Sequence, residues 1–553
     1  MKKTLLIFLL SYASLFAQVG YVEYSNPIYG FLKRMDSFGL LTDYDEFEIP
    51  KTRKEIAGYL KEIIAAKEKL SPLDRKILDD FITEFEFDLY GTTKYAGGIF
   101  NDGLSTIFSQ RENYLFYFTE KKSFSVFANF LGDAKYFGRN YLGDSLQSTS
   151  IFDFGGIARV SFYDKIGFSI KATNGTFLGN RNLAASTENR KYNYKIHTTT
   201  SSNLGNDFFD ETEGYLLGEF DYLKFKIGRD RKIVGYLNFH PLVSTFSPPM
   251  DYIQLNLNYK NFGFSFFHGK LLGTSVVVFD TSQNNNPIFE KFISYHRFYY
   301  NFSNHLKIGA GEIIIYANRG VDFSYLNPFN FYKSTEHANQ DRDNSMLFFD
   351  LTNNSVNGLK FYATLLIDDI DFGKLGSGWY GNQTLLHIGA YSSQLFNILP
   401  IEIETEYLRI DPYVFTHRLN YNNFTSLGYS IGTPIQPNSS TFGLRLNYLP
   451  HYRIRASLKF SYTVHGANVT GDNSNTVKNY GGDILVGHRV NDSEQVYFLQ
   501  GIKEYIRNFY FDISYEPYNN FFAFLSLNFA NESRKGNISR KIFDSQFGLK
   551  IKL

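Results

Sequence analysis

Residues 252–259 read Tyr252-Ile253-Gln254-Leu255-Asn256-Leu257-Asn258-Tyr259. Side chains along a β-strand point alternately to opposite faces. Ile253, Leu255, Leu257 and Tyr259 therefore form one apolar row, and Tyr252, Gln254, Asn256 and Asn258 a polar one. One face suits lipid and the other suits water. The pattern returns at Phe442, Leu444, Leu446 and Tyr448 against Gly443, Arg445 and Asn447, and at Ile454, Ala456, Leu458 and Phe460 against Arg453, Arg455, Ser457 and Lys459. It recurs at Phe509, Phe511, Ile513 and Tyr515, and at Phe521, Ala523, Leu525, Leu527 and Phe529. The last residues set Phe547, Leu549, Ile551 and Leu553 against Lys550 and Lys552, so a strand ends the chain.

A soluble β-sandwich also alternates. Three further features point to a membrane barrel: the period of two runs from about residue 92 to the end of the chain, an export signal precedes it, and Tyr and Phe crowd the strand ends as aromatic girdles do. The expected fold is mainly β, a large antiparallel transmembrane β-barrel of about 18 strands spanning 89–553, with a small N-terminal helical bundle.

Composition agrees. The 553 residues include 57 Phe, 42 Tyr and 1 Trp, too aromatic a chain for disorder. Lys+Arg 56 against Asp+Glu 55 gives a net charge of +1 with no basic block, so a nucleic-acid partner is not expected. With Cys at 0, disulfide frameworks, thiolate metal sites and cysteine nucleophiles are excluded.

At the N-terminus Lys2 and Lys3, the apolar run Leu5 to Leu10, and Ala17 before Gln18 read as a signal peptide over 1–17. Its apolar run is short for a membrane helix. Three helices should follow, making 18–88 a periplasmic helical subdomain. Asn26 and Pro27 open the first, and Gly39 stops it. Thr52 and Glu55 form a T-x-x-E capping box, and Ser71-Pro72 begins the third. Each helix has one apolar stripe and a charged back, which predicts packing among the three. Polar inserts at 178–212, 272–288, 411–440 and 465–479 read as surface loops.

Charges on lipid-facing positions are costly, so Arg445, Arg453, Arg455 and Lys459 should face the lumen, as should Glu402, Glu404 and Glu406. These rows suit either a charged track for an anionic polymer or pairing across neighbouring strands; the pairing is the expectation, because opposite signs lie close in sequence. Enzyme signatures are weak: no P-loop or H-E-x-x-H occurs, and the eleven His are scattered without metal spacing. Asp368, Asp369 and Asp371 read as a solvated strand end rather than a cation site, and His268, His296 and His387 as lumen or girdle residues. No cofactor, metal or catalytic residue is expected.

Several short motifs, in order, resemble the Wzi-like capsule-assembly barrels of Gram-negative outer membranes. They are the opening N-P-I-Y-G-F-L-K-R-M helix, P-x-T-R-x-E-I at 50–56, Gly228-Arg229-Asp230, Asn327-Pro328-Phe329, Glu336-His337, Asp343-Asn344, Asp350 and Leu365-Leu366-Ile367-Asp368-Asp369. Where the family shows a Trp-Gly-Pro-Gly turn after its G-R-D, this chain has Ile233-Val234-Gly235-Tyr236, and it ends on Leu553 rather than an aromatic. The resemblance implies a non-enzymatic outer-membrane protein that binds or anchors capsular or exported polysaccharide at the cell surface. A porin-like channel for small solutes or oligosaccharides is the alternative. The implied partners are that polysaccharide, outer-membrane lipid and lipopolysaccharide, and the barrel-assembly machinery during insertion. Candidate polysaccharide-binding or lumen residues are Arg229, Asp230, Asn327, His337, Asp343, Arg445, Arg453, Arg455 and Lys459.

Overall fold

A computed structural model describes residues 18–120, 123–142, 144–193, 195–196, 208–274, 288–393, 400–471, 476–535 and 539–553. Residues 1–17, expected as a signal peptide, and parts of three of the four polar inserts lie outside the described residues.

Eighteen long antiparallel strands close into a barrel. The last wall strand, Arg540–Lys552, pairs with the first, Phe124–Tyr141, from Ile542 opposite Tyr141 to Lys552 opposite Leu131. Where Leu553 ends, the short strand Phe116–Glu120 takes over the same edge, from Phe116 opposite Ala128 to Glu120 opposite Phe124. The wall therefore begins later than residue 89, since 89–115 is spent on short helices and a parallel pairing of Ala96–Gly98 with Glu112–Tyr114. Among the described residues no helix is long and apolar enough to cross a membrane.

The alternation places the faces as expected. Phe442, Leu458, Phe509, Phe547 and Leu549 are exposed on the outer wall, while Tyr252, Tyr362 and Tyr391 are buried inside. Tight turns join the strands at one end, for instance Phe162 to Ile166 and Tyr259 to Phe262. Long segments such as 231–249, 318–343 and 411–438 leave the other end. In outer-membrane barrels the short turns are periplasmic and the long loops extracellular.

The helices form with the caps the sequence predicts. α1 is Ile28–Ser37, α2 Arg53–Ala65, α3 Pro72–Glu84 and α4 Glu86–Tyr90. Asn26 Oδ1 accepts from the Ile28 amide at 2.9 Å. Both halves of the Thr52–Glu55 capping box are made, and Ser71 Oγ accepts from the Asp74 amide at 3.1 Å. Leu32, Met35, Ile56, Leu60, Ile63, Leu78 and Phe85 are buried together between the helices.

The charged back of α1 does not face water, while that of α3 keeps Lys76 and Asp79 exposed. The bundle is docked into the short-turn mouth of the barrel, and the back of α1 is buried against the lumen wall. Lys33 Nζ lies 2.5 Å from Glu404 Oε1, Arg34 Nη1 3.3 Å from Glu402 Oε1, and Asp36 Oδ2 2.5 Å from Lys360 Nζ. A wall of this strand number encloses a lumen too wide for wall side chains to fill, and the bundle occupies it.

Candidate functional site

The bundle's deepest part is the turn after α1. Phe47, fully buried, packs its ring 4.7 Å from that of Tyr236. Tyr236 belongs to 231–249, which descends from the opposite mouth. The two segments meet in mid-lumen as a small antiparallel pair, Glu48 opposite Val234 and Ile49 opposite Ile233. Glu48 also binds Lys232 Nζ at 2.9 Å, and it accepts from Ser265 Oγ at 2.7 Å and from the Tyr295 hydroxyl at 2.9 Å. Burial pushes the Glu48 carboxyl up, but Lys232 and Arg297 outweigh it and hold the group below its ordinary value.

The segment 411–438, expected on the surface, folds inward as a second plug. Val414, Phe415, Phe424 and Ile431 are fully buried in the same apolar cluster as Phe47. Asp368, expected as a solvated strand end, is buried because its Oδ2 accepts the Phe415 amide at 2.6 Å and so holds this segment. Both corrections have one cause: a wide lumen supplies an interior in which polar-looking loops can bury their few apolar residues.

The plug leaves an eccentric cavity of about 1010 Å³ between itself and the wall formed by 540–552 and 124–230. Its lining runs from Lys191, Tyr192 and Phe246 on the long-loop side to Asn26, Pro27 and Asn520 on the short-turn side. Asp133, Asp153, Lys171, Glu211, Glu213, Asp230 and Lys550 enter it from adjacent strands. Acids and bases alternate in space: Arg190 lies 3.5 Å from Asp153, Arg231 3.4 Å from Glu211, and Lys171 3.3 Å from Glu23. Lys171 holds the Glu23 carboxyl at about 2. At the loop-side mouth Lys191 Nζ sits 3.6 Å from the centre of the Phe246 ring, and burial followed by the nearby Arg231 charge lowers its ammonium to about 8. The site thus presents aromatic faces and hydrogen-bonding charges of both signs along one elongated cleft. Among the described residues no three His, Asp or Glu side chains gather as a metal site.

The sequence-predicted residues are dispersed. Asp230 lines the cavity, where its Oδ1 accepts from the Tyr252 hydroxyl at 2.5 Å. Arg229 also borders it but pairs with Asp251 at 3.0 Å on the exposed side. Arg445 donates to Asn238 Oδ1 of the descending segment at 3.0 Å. Arg453 reaches Asp80 of α3 at 3.4 Å and Asn519 at 2.7 Å, fastening the bundle to the short-turn rim. Arg455 lies 3.5 Å from Glu516, and Lys459 3.7 Å from Asp512. The acids Glu402 and Glu404 pair with α1, not primarily across the sheet as expected, because the docked helix brings bases within 3.3 Å of both. Glu406 lies 3.0 Å from His387. Asn327, His337 and Asp343 stand outside the lumen altogether: Asn327 and His337 are exposed, and Asp343 is buried, chelated by Arg319 at 2.7 and 2.6 Å.

Sequence reading missed the cavity's Arg190, Glu211, Glu213 and Arg231. The strand Phe208–Glu219 does alternate Glu211, Glu213 and Tyr215 on one face, a signal of the same kind as Glu402 to Glu406.

No protein-family model matches this sequence, and no curated protein matches it. Among solved structures the chain is similar to Wzi, described as an outer membrane protein involved in group 1 capsule assembly in Escherichia coli and a carbohydrate-binding β-barrel. Identity is 13%, the TM-score 0.57, and the match covers 96% of this chain and 99% of that one. A weaker likeness, at a TM-score of 0.43 and 11% identity, is to Pseudomonas aeruginosa OpdK solved with vanillate, over 77% of this chain and 98% of that one. The likeness to Wzi is one of fold: a closed β-barrel of the same architecture.

Proposed function

We propose that this chain resides in the outer membrane and binds exported polysaccharide at the cell surface without altering it chemically, with the eccentric cavity as its binding cleft. The observation that carries this reading is the cavity's lining: aromatic faces beside paired acids and bases, next to a lumen otherwise occupied by the helical bundle and inserted loops. Sugar rings stack on aromatic faces, and their hydroxyls exchange hydrogen bonds with carboxylates and guanidinium groups. The shared fold with Wzi, a carbohydrate-binding barrel, supports the same reading.

The test is calorimetric titration of the purified barrel with the capsular polysaccharide of the producing cell, for the wild type and for Phe246→Ala and Lys191→Gln at the mouth. Each variant is expected to bind about tenfold more weakly, a loss of about 1.4 kcal/mol. A wild type that binds none of it, together with a deletion strain that keeps its capsule attached, sinks the reading.

A channel is the second reading, favoured by one observation: the cavity's lining reaches both mouths. Stepwise currents through the wild type in planar bilayers would favour it over a binding cleft.

A further inference from the structure

The segment 318–343 carries the Asn327-Pro328-Phe329 and Glu336-His337 motifs, yet it neither arches over the mouth nor enters the lumen. Ile313 and Ile315 belong to the lumen core, so Glu312, Ile314 and Tyr316 face outward, as do Ser294 and His296 opposite them. These outward groups are where the segment lies down. The Tyr332 ring stacks 4.5 Å from His296, and Tyr325 packs 5.3 Å from Tyr316. The Tyr332 and Lys333 amides donate to Glu312 at 2.8 and 3.3 Å. A carboxylate on the outer wall, costly against lipid, is thereby covered and satisfied.

The segment is divided along its length. Its first half presents Phe323, Phe329 and Phe331, exposed by 81%, 62% and 56%. Phe329 stacks 5.0 Å from outward-facing Phe264, which is 4.6 Å from Phe298. Phe298 leads directly into the exposed outer row Tyr300 and Phe302. The second half instead exposes Ser334, His337, Gln340, Asp341 and Arg342.

We propose that 318–343 is a membrane-interface collar, with 321–331 buried among the acyl chains and 334–342 in the headgroup layer of the outer leaflet. The apolar half continues the lipid-facing row, and the apolar-to-polar division matches the step from hydrocarbon to headgroups. A second copy of the chain would not require that division. The collar rests on the outer-membrane reading, and the experiment separates the two.

The single Trp379 is first replaced by Phe, giving a silent full-length background. Phe329→Trp, and Phe361→Trp in the exposed outer row, are then each reconstituted in phosphatidylcholine vesicles with and without bromine on the acyl chains. Both reporters should lose most of their emission in brominated lipid, and Ser334→Trp should lose little. Quenching of Phe361→Trp without quenching of Phe329→Trp overturns the collar, whether a second copy or water covers it. Failure of Phe361→Trp to quench overturns the membrane reading itself. Should Phe329→Trp not fold, Phe323→Trp supplies the same readout.

Discussion

Arg297 and Asp350 form a two-pronged ion pair inside the barrel, Nε to Oδ2 at 2.8 Å and Nη2 to Oδ1 at 2.7 Å, with both side chains fully buried. The third guanidinium nitrogen reaches Asp45 of the helical bundle's tip at 2.8 Å. One arginine therefore ties two wall strands to the plug.

Removing it leaves two carboxylates buried without their cation. Arg297→Ala should cost about 3–5 kcal/mol, because a broken buried pair strands its partner charges. Thermal unfolding in detergent, followed by the loss of the folded barrel's faster gel mobility, measures this; an unchanged midpoint would show that the pair holds nothing.

Gly309 makes room for that pair, since a Cβ there would collide with Asp350 Oδ2 and with Arg297 Nε. Gly309→Ala should therefore loosen the plug while leaving the outer wall intact. Faster amide exchange at 45–49, with exchange in the strand Ile454–Ala467 unchanged, is the expected outcome.

Acid should release the bundle before it opens the barrel. Glu55 is buried, which pushes its carboxyl up, but Lys224, 2.5 Å away, and Lys51 bring it down to about 2 from an ordinary 4.5. Asp45 is likewise pushed up by burial and held well below the usual carboxylate range by Arg297, Lys307 and Lys51. Groups whose folded values are depressed contribute fully above about pH 4.5 and lose that contribution as pH falls toward about 2. Pepsin digestion through this window should cut within 18–88 first, and Glu55→Gln should remove part of the pH dependence.

Asp368→Ala deprives the buried Phe415 amide of its acceptor. A stranded donor costs about 1–3 kcal/mol, so the 411–438 plug should detach more often. If that plug blocks the lumen, planar-bilayer recordings of the variant will show open events more frequently than those of the wild type.

Glu312→Ala should free the outer collar, because Tyr332 and Lys333 both donate to that carboxylate. Proteolysis within 331–342 should accelerate in detergent without change in the barrel's melting temperature.

Local physics made much of this protein legible in one dimension. Alternation at 252–259 and its repeats fixes which residues face lipid, because a strand's side-chain period is two and a charge on the outer face is penalised. The caps at Asn26, Thr52 and Ser71 are equally local, each being one side chain satisfying an amide two or three residues on. Asp230 could be named from the Gly228-Arg229-Asp230 resemblance, whereas Arg190 and Arg231 could not, because their carboxylate partners lie 37 and 20 residues away.

The sequence by itself determined that the wall is a closed, aromatic-banded barrel and that three capped helices precede it. Only the tertiary structure decided what fills that barrel. A bundle with charged backs and loops rich in Asn, Ser and Gly look solvent-bound along the chain. They become interior once the wall closes around a lumen too wide for its own side chains, and ion pairs such as Asp45–Arg297 compensate their desolvation. The same closure set the cavity on one side of the plug and put Asn327 and His337 on the outer face, since which loops enter the lumen and which lie outside depends on contacts between separate strands and loops, such as Glu48 with Val234 and Tyr332 with Glu312.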